Sequence, residues 1–337
     1  MANLLRQIRF IAGALALACM IMVTSPVAPV SAQQINPTAD SVKEQQLLDQ
    51  LNRISGRCTL PDQKACTIEQ PAGRDWRYFH QVTLHLIGGI AIIGIFGLLL
   101  LFYLIRGTVR IENGRSGRPL PRFNSFERMV HWMTAACFII LALSGLNITF
   151  GRQLILPWLG PEAFTAMTQW GKYAHNFLSF PFTLGVVLTF LMWIASNIPS
   201  RVDLEWIKQG GGMVGHKHPP AGRFNAGQKL IYWVVVIGGG LVAASGYLLM
   251  FPFYGTNIAD MQLAQVVHGV VAVLFVAAML VHIYMGTLGE EGAFEGMWDG
   301  TVDENWAKQH HRIWYEEEAS KGHVGAPPPQ GKMQPAE

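Results

Sequence analysis

The chain has 337 residues, of which 50% are hydrophobic and only 14% charged, and its mean hydropathy is +0.26. Soluble domains carry about 25% charged residues, so the composition excludes an ordinary soluble protein and points to an integral membrane protein. The formal net charge of +3 is too small to imply a nucleic-acid partner, and the basic residues matter by where they cluster. No G-x-G-x-x-G or P-loop pattern follows a credible strand, and no internal repeat is evident.

Residues 1–32 read as a secretory signal. Arg6 and Arg9 supply the charged start, residues 10–23 form a short apolar run, and Val30-Ser31-Ala32 suits a cleavage site. An uncleaved helix is the alternative, but the run is short for a membrane span. Residues 33–80 read as an exported, periplasmic segment with weak structural signals. It contains Cys58 and Cys66; export permits a disulfide between them, although two isolated cysteines do not establish one. Cys19 falls inside the signal, and Cys137, within an apolar segment, reads as a packing residue. The absence of C-x-x-C-H argues against covalently attached haem, and no four-cysteine iron–sulfur pattern occurs.

Five segments are apolar and long enough to cross a bilayer core of about 30 Å, at 82–105, 129–150, 173–198, 230–251 and 263–288. The stretch between the first two holds Arg106, Arg110, Arg115, Arg118 and Arg122. The stretch between the third and fourth holds Arg201, Lys208, Lys217, Arg223 and Lys229. The connections after the second and fourth are poor in positive charge, with only Arg152 before Lys172. The positive-inside rule therefore places the two basic stretches in the cytoplasm. This predicts a multi-pass protein of the bacterial inner membrane with its mature N-terminus periplasmic and its C-terminus cytoplasmic. Along the chain, 106–128 is a cytoplasmic basic loop, 129–288 a four-helix core, and 289–337 a cytoplasmic tail. The tail's WAKQHHRIWYEEE suggests a surface helix with His310, His311 and His323 solvated, and its Pro-rich end reads as disordered.

Histidines stand out against this background, because ionisable residues within a membrane are costly and mark function more often than packing. His268 and His282 lie 14 residues apart on the last span, roughly 3.9 turns and about 21 Å of helix. They therefore face one side, near opposite membrane surfaces. The predicted topology puts His131 at the depth of His282, near the cytoplasm, and His175 at the depth of His268, near the outer surface. Haem iron takes two axial imidazoles from opposite sides of its ring. Ligands at matched depth on different helices give the pairs His131/His282 and His175/His268, hence two b-type haems.

His85 competes for the outer site at similar depth, but two ligands already complete it, so it reads as structural or subunit-facing. His80, His216 and His218 lie in or near loops. The H-x-H spacing of His216 and His218 allows a metal, while a solvated loop is the simpler reading. Asn225 and Gln228 in RFNAGQK, just before the fourth span, offer donors and acceptors suited to a quinone carbonyl. Asn225 also suits an ordinary helix N-cap, and spacing alone favours the cap.

The segments RFNSFERMVHW, GKYAHNF, RFNAGQKLIYW, VVHGVVAVLF, MLVHIYMG and WAKQHHRIWY, taken together and in order from about Arg122 to Tyr315, resemble the cytochrome b (gamma) subunit of membrane-bound formate dehydrogenases. The resemblance implies an all-α integral membrane protein, a four-helix dihaem cytochrome b bundle. It also implies that His131, His175, His268 and His282 are the haem ligands. In such a complex an iron–sulfur beta subunit delivers electrons, and an alpha subunit with a molybdenum or tungsten pterin oxidises formate. Quinone accepts the electrons beside the inner haem, near His282 and the Asn225–Gln228 segment. The signal, the exported segment and the first span are additions to the short form of that family, giving one extra N-terminal transmembrane helix. Two rivals remain at this point: the cytochrome b subunit of a membrane-bound nickel–iron hydrogenase, and a haem-free membrane anchor or transporter.

Overall fold

The computed structural model describes residues 73–212, 218–252 and 254–324. The signal, the exported segment up to residue 72 with Cys58 and Cys66, His216, and the tail beyond residue 324 lie outside the described residues. Five helices are long and apolar enough to span a membrane: α1 (Asp75–Arg106), α2 (Ser125–Leu154), α3 (Leu156–Ser196), α5 (Ala226–Met250) and α6 (Ile258–Gly289). A short helix, α4 (Arg201–Lys208), lies between α3 and α5. The chain is thus an all-α membrane protein. Its only strands among the described residues are two three-residue pieces, β1 (Pro119–Pro121) and β2 (Thr301–Asp303), paired antiparallel.

The helices start where their sequences cap them. The first N–H groups of a helix have no partner within it. At α2, α5 and α6 an asparagine supplies one: Asn124 Oδ1 accepts from the Glu127 N–H, Asn225 Oδ1 from the Gln228 N–H, and Asn257 Oδ1 from the Asp260 N–H. In each case the third residue's side chain accepts from the asparagine N–H in return, closing a capping box. We call the end of the bundle that carries Asn124 and Asn225 the capped end.

One connection differs from the sequence expectation. The stretch between the second and third spans is read above as a loop, but α2 ends at Leu154 and α3 begins at Leu156. Gly160 breaks α3 with φ 74°, a conformation that only glycine adopts without cost, and the helix resumes at Pro161. The segment read as a loop is therefore mostly an extension of α3 towards its start.

α2 packs along α3, and α6 packs against both α5 and α1. The central core is an apolar layer of Met133, Cys137, Leu178, Phe182, Val186, Phe275 and Met279. Phe138 meets Phe275 with ring centres 4.8 Å apart, and Phe182 meets Phe275 at 6.2 Å. Cys137 sits in this layer as the packing reading expects. α1 lies outside the other four and docks on α6 through close approach at small residues. A Cβ on Gly269 would stand 2.6 Å from Leu84 Cδ2, and one on Gly88 would stand 3.1 Å from Val273 Cγ2. Small residues at such contacts let helix backbones come close, which drives association in lipid.

The basic loop and the tail are built together rather than separately solvated. After α6 come α7 (Ala293–Trp298), β2, α8 (Glu304–His310) and α9 (Arg312–Ser320). Ile111 and Leu120 from the loop bury against Val302, Trp306, Ala307 and Trp314 from the tail. The loop arginines are paired across this contact: Arg115 with Glu291 and Glu295, and Arg118 with Glu304. His311 is fully buried and His310 nearly so, contrary to the solvated reading, because the loop folds over them. His323 is exposed and paired with Glu318.

Candidate functional site

The structure brings the four span histidines together in two pairs. His131 on α2 and His282 on α6 have ring centres 6.2 Å apart, with the ring planes at 63°. His175 on α3 and His268 on α6 have ring centres 6.1 Å apart, again at 63°. The first pair lies near the capped end, since His131 is in the second turn of α2 and His282 near the close of α6. The second pair lies near the opposite end. The apolar core layer separates them, with Phe275 midway between His268 and His282 on the same helix.

This spacing can be tested against the group that bis-imidazole ligation would hold. An imidazole nitrogen bonds a transition metal at about 2.0 Å, which puts its ring centre about 3.1 Å from the metal, so two imidazoles on opposite sides stand about 6.2 Å apart. The two pairs fit that distance. Two rings in contact without a shared atom between them carry no such constraint.

The far pair has a further feature. Ser144 Oγ lies 2.9 Å from His175 Nδ1, and Ser245 Oγ lies 3.1 Å from His268 Nδ1. Each serine is followed by a glycine that leaves room for the ring edge. A Cβ on Gly145 would stand 3.4 Å from His175 Cε1, and one on Gly246 would stand 3.2 Å from His268 Cε1.

The sequence reading overlooked an internal repeat. Arg122-Phe123-Asn124 with Glu127, Trp132 and Ser144-Gly145 returns as Arg223-Phe224-Asn225 with Gln228, Trp233 and Ser245-Gly246, always at the 101-residue spacing that separates Arg122 from Arg223. The copies meet at the capped end. Arg122 Nη2 donates to the Arg223 carbonyl at 2.8 Å, and Arg223 Nη2 donates back to the Arg122 carbonyl at 3.3 Å. Phe123 and Phe224 stack obliquely between them, 6.0 Å apart. A short motif with apolar filler was the available signal, and the filler hides it.

Arg122 is buried between the rings of Trp306 and Trp314, with its guanidinium carbon 4.9 and 4.8 Å from their centres. Burial, aided by the Arg223 charge, pushes it down to about 9, so it remains a cation at neutral pH. Its Nη2 also lies 3.1 Å from His311 Nε2, while His311 Nδ1 donates to the Gly222 carbonyl at 2.7 Å. Burial first, and then the Arg122 charge, hold His311 well below the usual imidazole value. His310 is lowered too, mainly by burial, with Glu290 opposing.

The remaining candidates are placed as follows. His85 Nδ1 lies 2.9 Å from the His80 carbonyl and its Nε2 lies 2.6 Å from the Thr149 carbonyl, which ties α1 to the end of α2. His218 is half-buried against Glu112, at 2.9 Å, and against the ring of His310. Among the described residues no group of three or more His, Cys, Asp or Glu is arranged to hold a metal ion. Asn225 and Gln228 have their side-chain carbonyls engaged in the α5 cap, and their NH2 groups remain as donors.

Residues 122–300 match the family described as prokaryotic cytochrome b561. The nitrate-inducible formate dehydrogenase cytochrome b556(Fdn) subunit of Escherichia coli K12 is 29% identical over 202 residues, covering 58% of this chain and 90% of that one. The formate dehydrogenase cytochrome b556(fdo) subunit of the same organism is 31% identical over 199 residues, covering 58% and 92%. The formate dehydrogenase cytochrome b556 subunit of Haemophilus influenzae is 27% identical over 205 residues, covering 58% and 82%.

Proposed function

The chain belongs to the prokaryotic cytochrome b561 family, and from that premise we propose that it is the dihaem membrane subunit that links a formate dehydrogenase to quinone. At the coarser level it is a membrane cytochrome b subunit of the formate dehydrogenase type. The observation that carries the finer reading is the matched pair of histidine pairs, at 6.1 and 6.2 Å, near opposite ends of one bundle.

In this reading His131 and His282 hold one b-type haem, and His175 and His268 hold the other. When bound, the two haems supply one-electron transfer across the membrane. The chain's own part is to fix both sites on helices. α6 carries one ligand of each, 14 residues apart, so the sites are held about 21 Å apart along a single continuous helix. The basic loop and tail face the cytoplasm by their charge. The His175/His268 end then faces the periplasm and receives electrons from an iron–sulfur beta subunit, whose alpha subunit with its molybdenum or tungsten pterin oxidises formate. This chain does not oxidise formate itself.

Quinone is reduced near the capped end. There the NH2 groups of Asn225 and Gln228 are available to donate to a quinone carbonyl without giving up the helix cap. Moving an electron inward costs about 2.3 kcal/mol for every 100 mV of inside-negative potential, which formate oxidation must offset. α1 adds to the bundle without altering its orientation.

The test is purification of the chain with its partners from its own membrane. Formate should reduce a b-type chromophore, and added quinone should reoxidise it. Reduction by hydrogen with a nickel–iron subunit in the preparation would transfer the chain to a hydrogenase. A preparation without b-type absorption would leave a haem-free anchor or transporter.

A further inference from the structure

The serines beside the outer histidines have a defined hydrogen-bonding sense. Ser144 Oγ donates its one proton to a carbonyl of its own helix, Ile140 at 2.7 Å with Leu141 at 3.0 Å. Towards His175 Nδ1, which also faces the Leu141 carbonyl as His268 faces that of Val242, it then accepts. Ser245 repeats the arrangement, donating to Leu241 at 2.6 Å with Val242 at 3.3 Å, and accepting from His268 Nδ1. Both imidazoles are thus fixed with the proton on Nδ1 and the lone pair on Nε2, the tautomer that a metal ligand needs. The Ser-Gly step supplies the acceptor and the clearance at once, and the internal repeat supplies it twice.

The inner pair lies where the repeat is broken. The position equivalent to His131 is Tyr232, whose hydroxyl donates to the Phe190 carbonyl at 3.0 Å. His131 Nδ1 is buried and has no hydrogen-bond partner among the described residues. The two ends of the bundle therefore treat their histidines differently.

We infer that Ser144 and Ser245 are positioning residues that make the outer His175/His268 site the lower-potential of the two haem sites. The inference rests on the haem-ligand reading of the four histidines. An acceptor on Nδ1–H leaves more electron density on Nε2, which favours ferric over ferrous iron and lowers the potential. Two such acceptors act at the outer site, whereas His131 at the inner site lacks one. Electrons entering at the outer end then run to the higher-potential inner site, and this difference offsets part of the cost of moving negative charge inward.

The experiment is an optical redox titration of the purified complex, with the outer component identified as the one missing from a His268→Ala complex. In the wild type the component lost on that substitution should be the lower-potential one. In Ser144→Ala/Ser245→Ala its midpoint should rise while the other stays put, with two haems per chain retained. Ser144→Thr/Ser245→Thr, which keeps both hydroxyls, should return the midpoint towards wild type. A wild type whose lost component is the higher-potential one overturns the inference, and this result requires no serine variant to assemble. Two retained haems with unmoved midpoints in the alanine variant also overturn it, leaving the ligand reading intact. A wild-type chain without b-type haem overturns the ligand reading and the inference with it.

Discussion

Glu127 is the joint on which the capped end depends, and replacing it gives a sharp prediction. Its carboxylate is almost fully buried. Oε1 accepts from Arg223 Nη2 at 2.7 Å and from Trp193 Nε1 at 2.7 Å, while Oε2 accepts from the Asn124 N–H at 2.9 Å. One side chain thus joins the start of α2, the end of α3 and the segment before α5. Glu127→Ala leaves Arg223 facing the buried Arg122 guanidinium without the carboxylate that pairs with it, and it leaves the Trp193 N–H without this acceptor. Removing one partner of a buried pair costs about 3–5 kcal/mol. Arg223 is one-third exposed, so water recovers part of this, and about 3 kcal/mol is expected. For a domain of this size that is a drop of roughly 6–12 °C in melting temperature. Glu127→Gln has a single acceptor oxygen, which can serve Trp193 and Arg223 or the Asn124 N–H but not both, and it loses the charge; it keeps more than Glu127→Ala and should fall between the two. Tryptophan-fluorescence melts of the detergent-solubilised proteins would measure this. Glu127→Ala melting within a degree or two of wild type, or Glu127→Gln melting below Glu127→Ala, would refute the reasoning.

Other consequences can be measured separately. Asn225→Asp keeps the oxygen that caps α5 but removes the NH2 group; quinone reduction should slow while haem content and melting temperature hold, and wild-type quinone kinetics would remove Asn225 from the quinone site. The fold of the loop over the tail should weaken in acid through His311. Its folded value lies below 6.5, so its contribution is full above about pH 6.5 and is lost as pH falls from there towards the folded value, at up to about 1.4 kcal/mol per pH unit. Arg122 and His310 add positive charge beside it, and Glu290 opposes at His310. Limited proteolysis of residues 304–324 should quicken between pH 7.5 and 5.5, and His311→Gln should flatten that dependence; an unchanged slope in the variant would assign the effect elsewhere.

What the sequence made legible follows from how strong each signal is. The five spans are visible because about 20 apolar residues in a row have few alternatives to a membrane helix. The four histidines were found by depth because a membrane imposes a common axis, so loop charge and helix rise suffice to match them. The helical start of α3 was not legible, since Gly160-Pro161 looks like a loop and does mark a break, but only of one turn. The burial of His311 and Arg122 was not legible either. Polar residues in a tail look solvated until a loop nearly 200 residues earlier is known to cover them. The Ser-Gly steps at Ser144 and Ser245 acquire meaning only once His175 and His268 stand opposite them. Asn225 illustrates a conflict resolved in favour of local structure: the cap that spacing favoured is the one formed, and any role toward quinone must use what the cap leaves free.

The most direct measurement of the central claim is the haem content per chain of the purified protein, by reduced-minus-oxidised spectra, for wild type, His131→Ala and His268→Ala. The account predicts two b-type haems in the wild type and one in each variant, with a different spectral component lost in each. No haem in the wild type, or both haems retained in either variant, would contradict it.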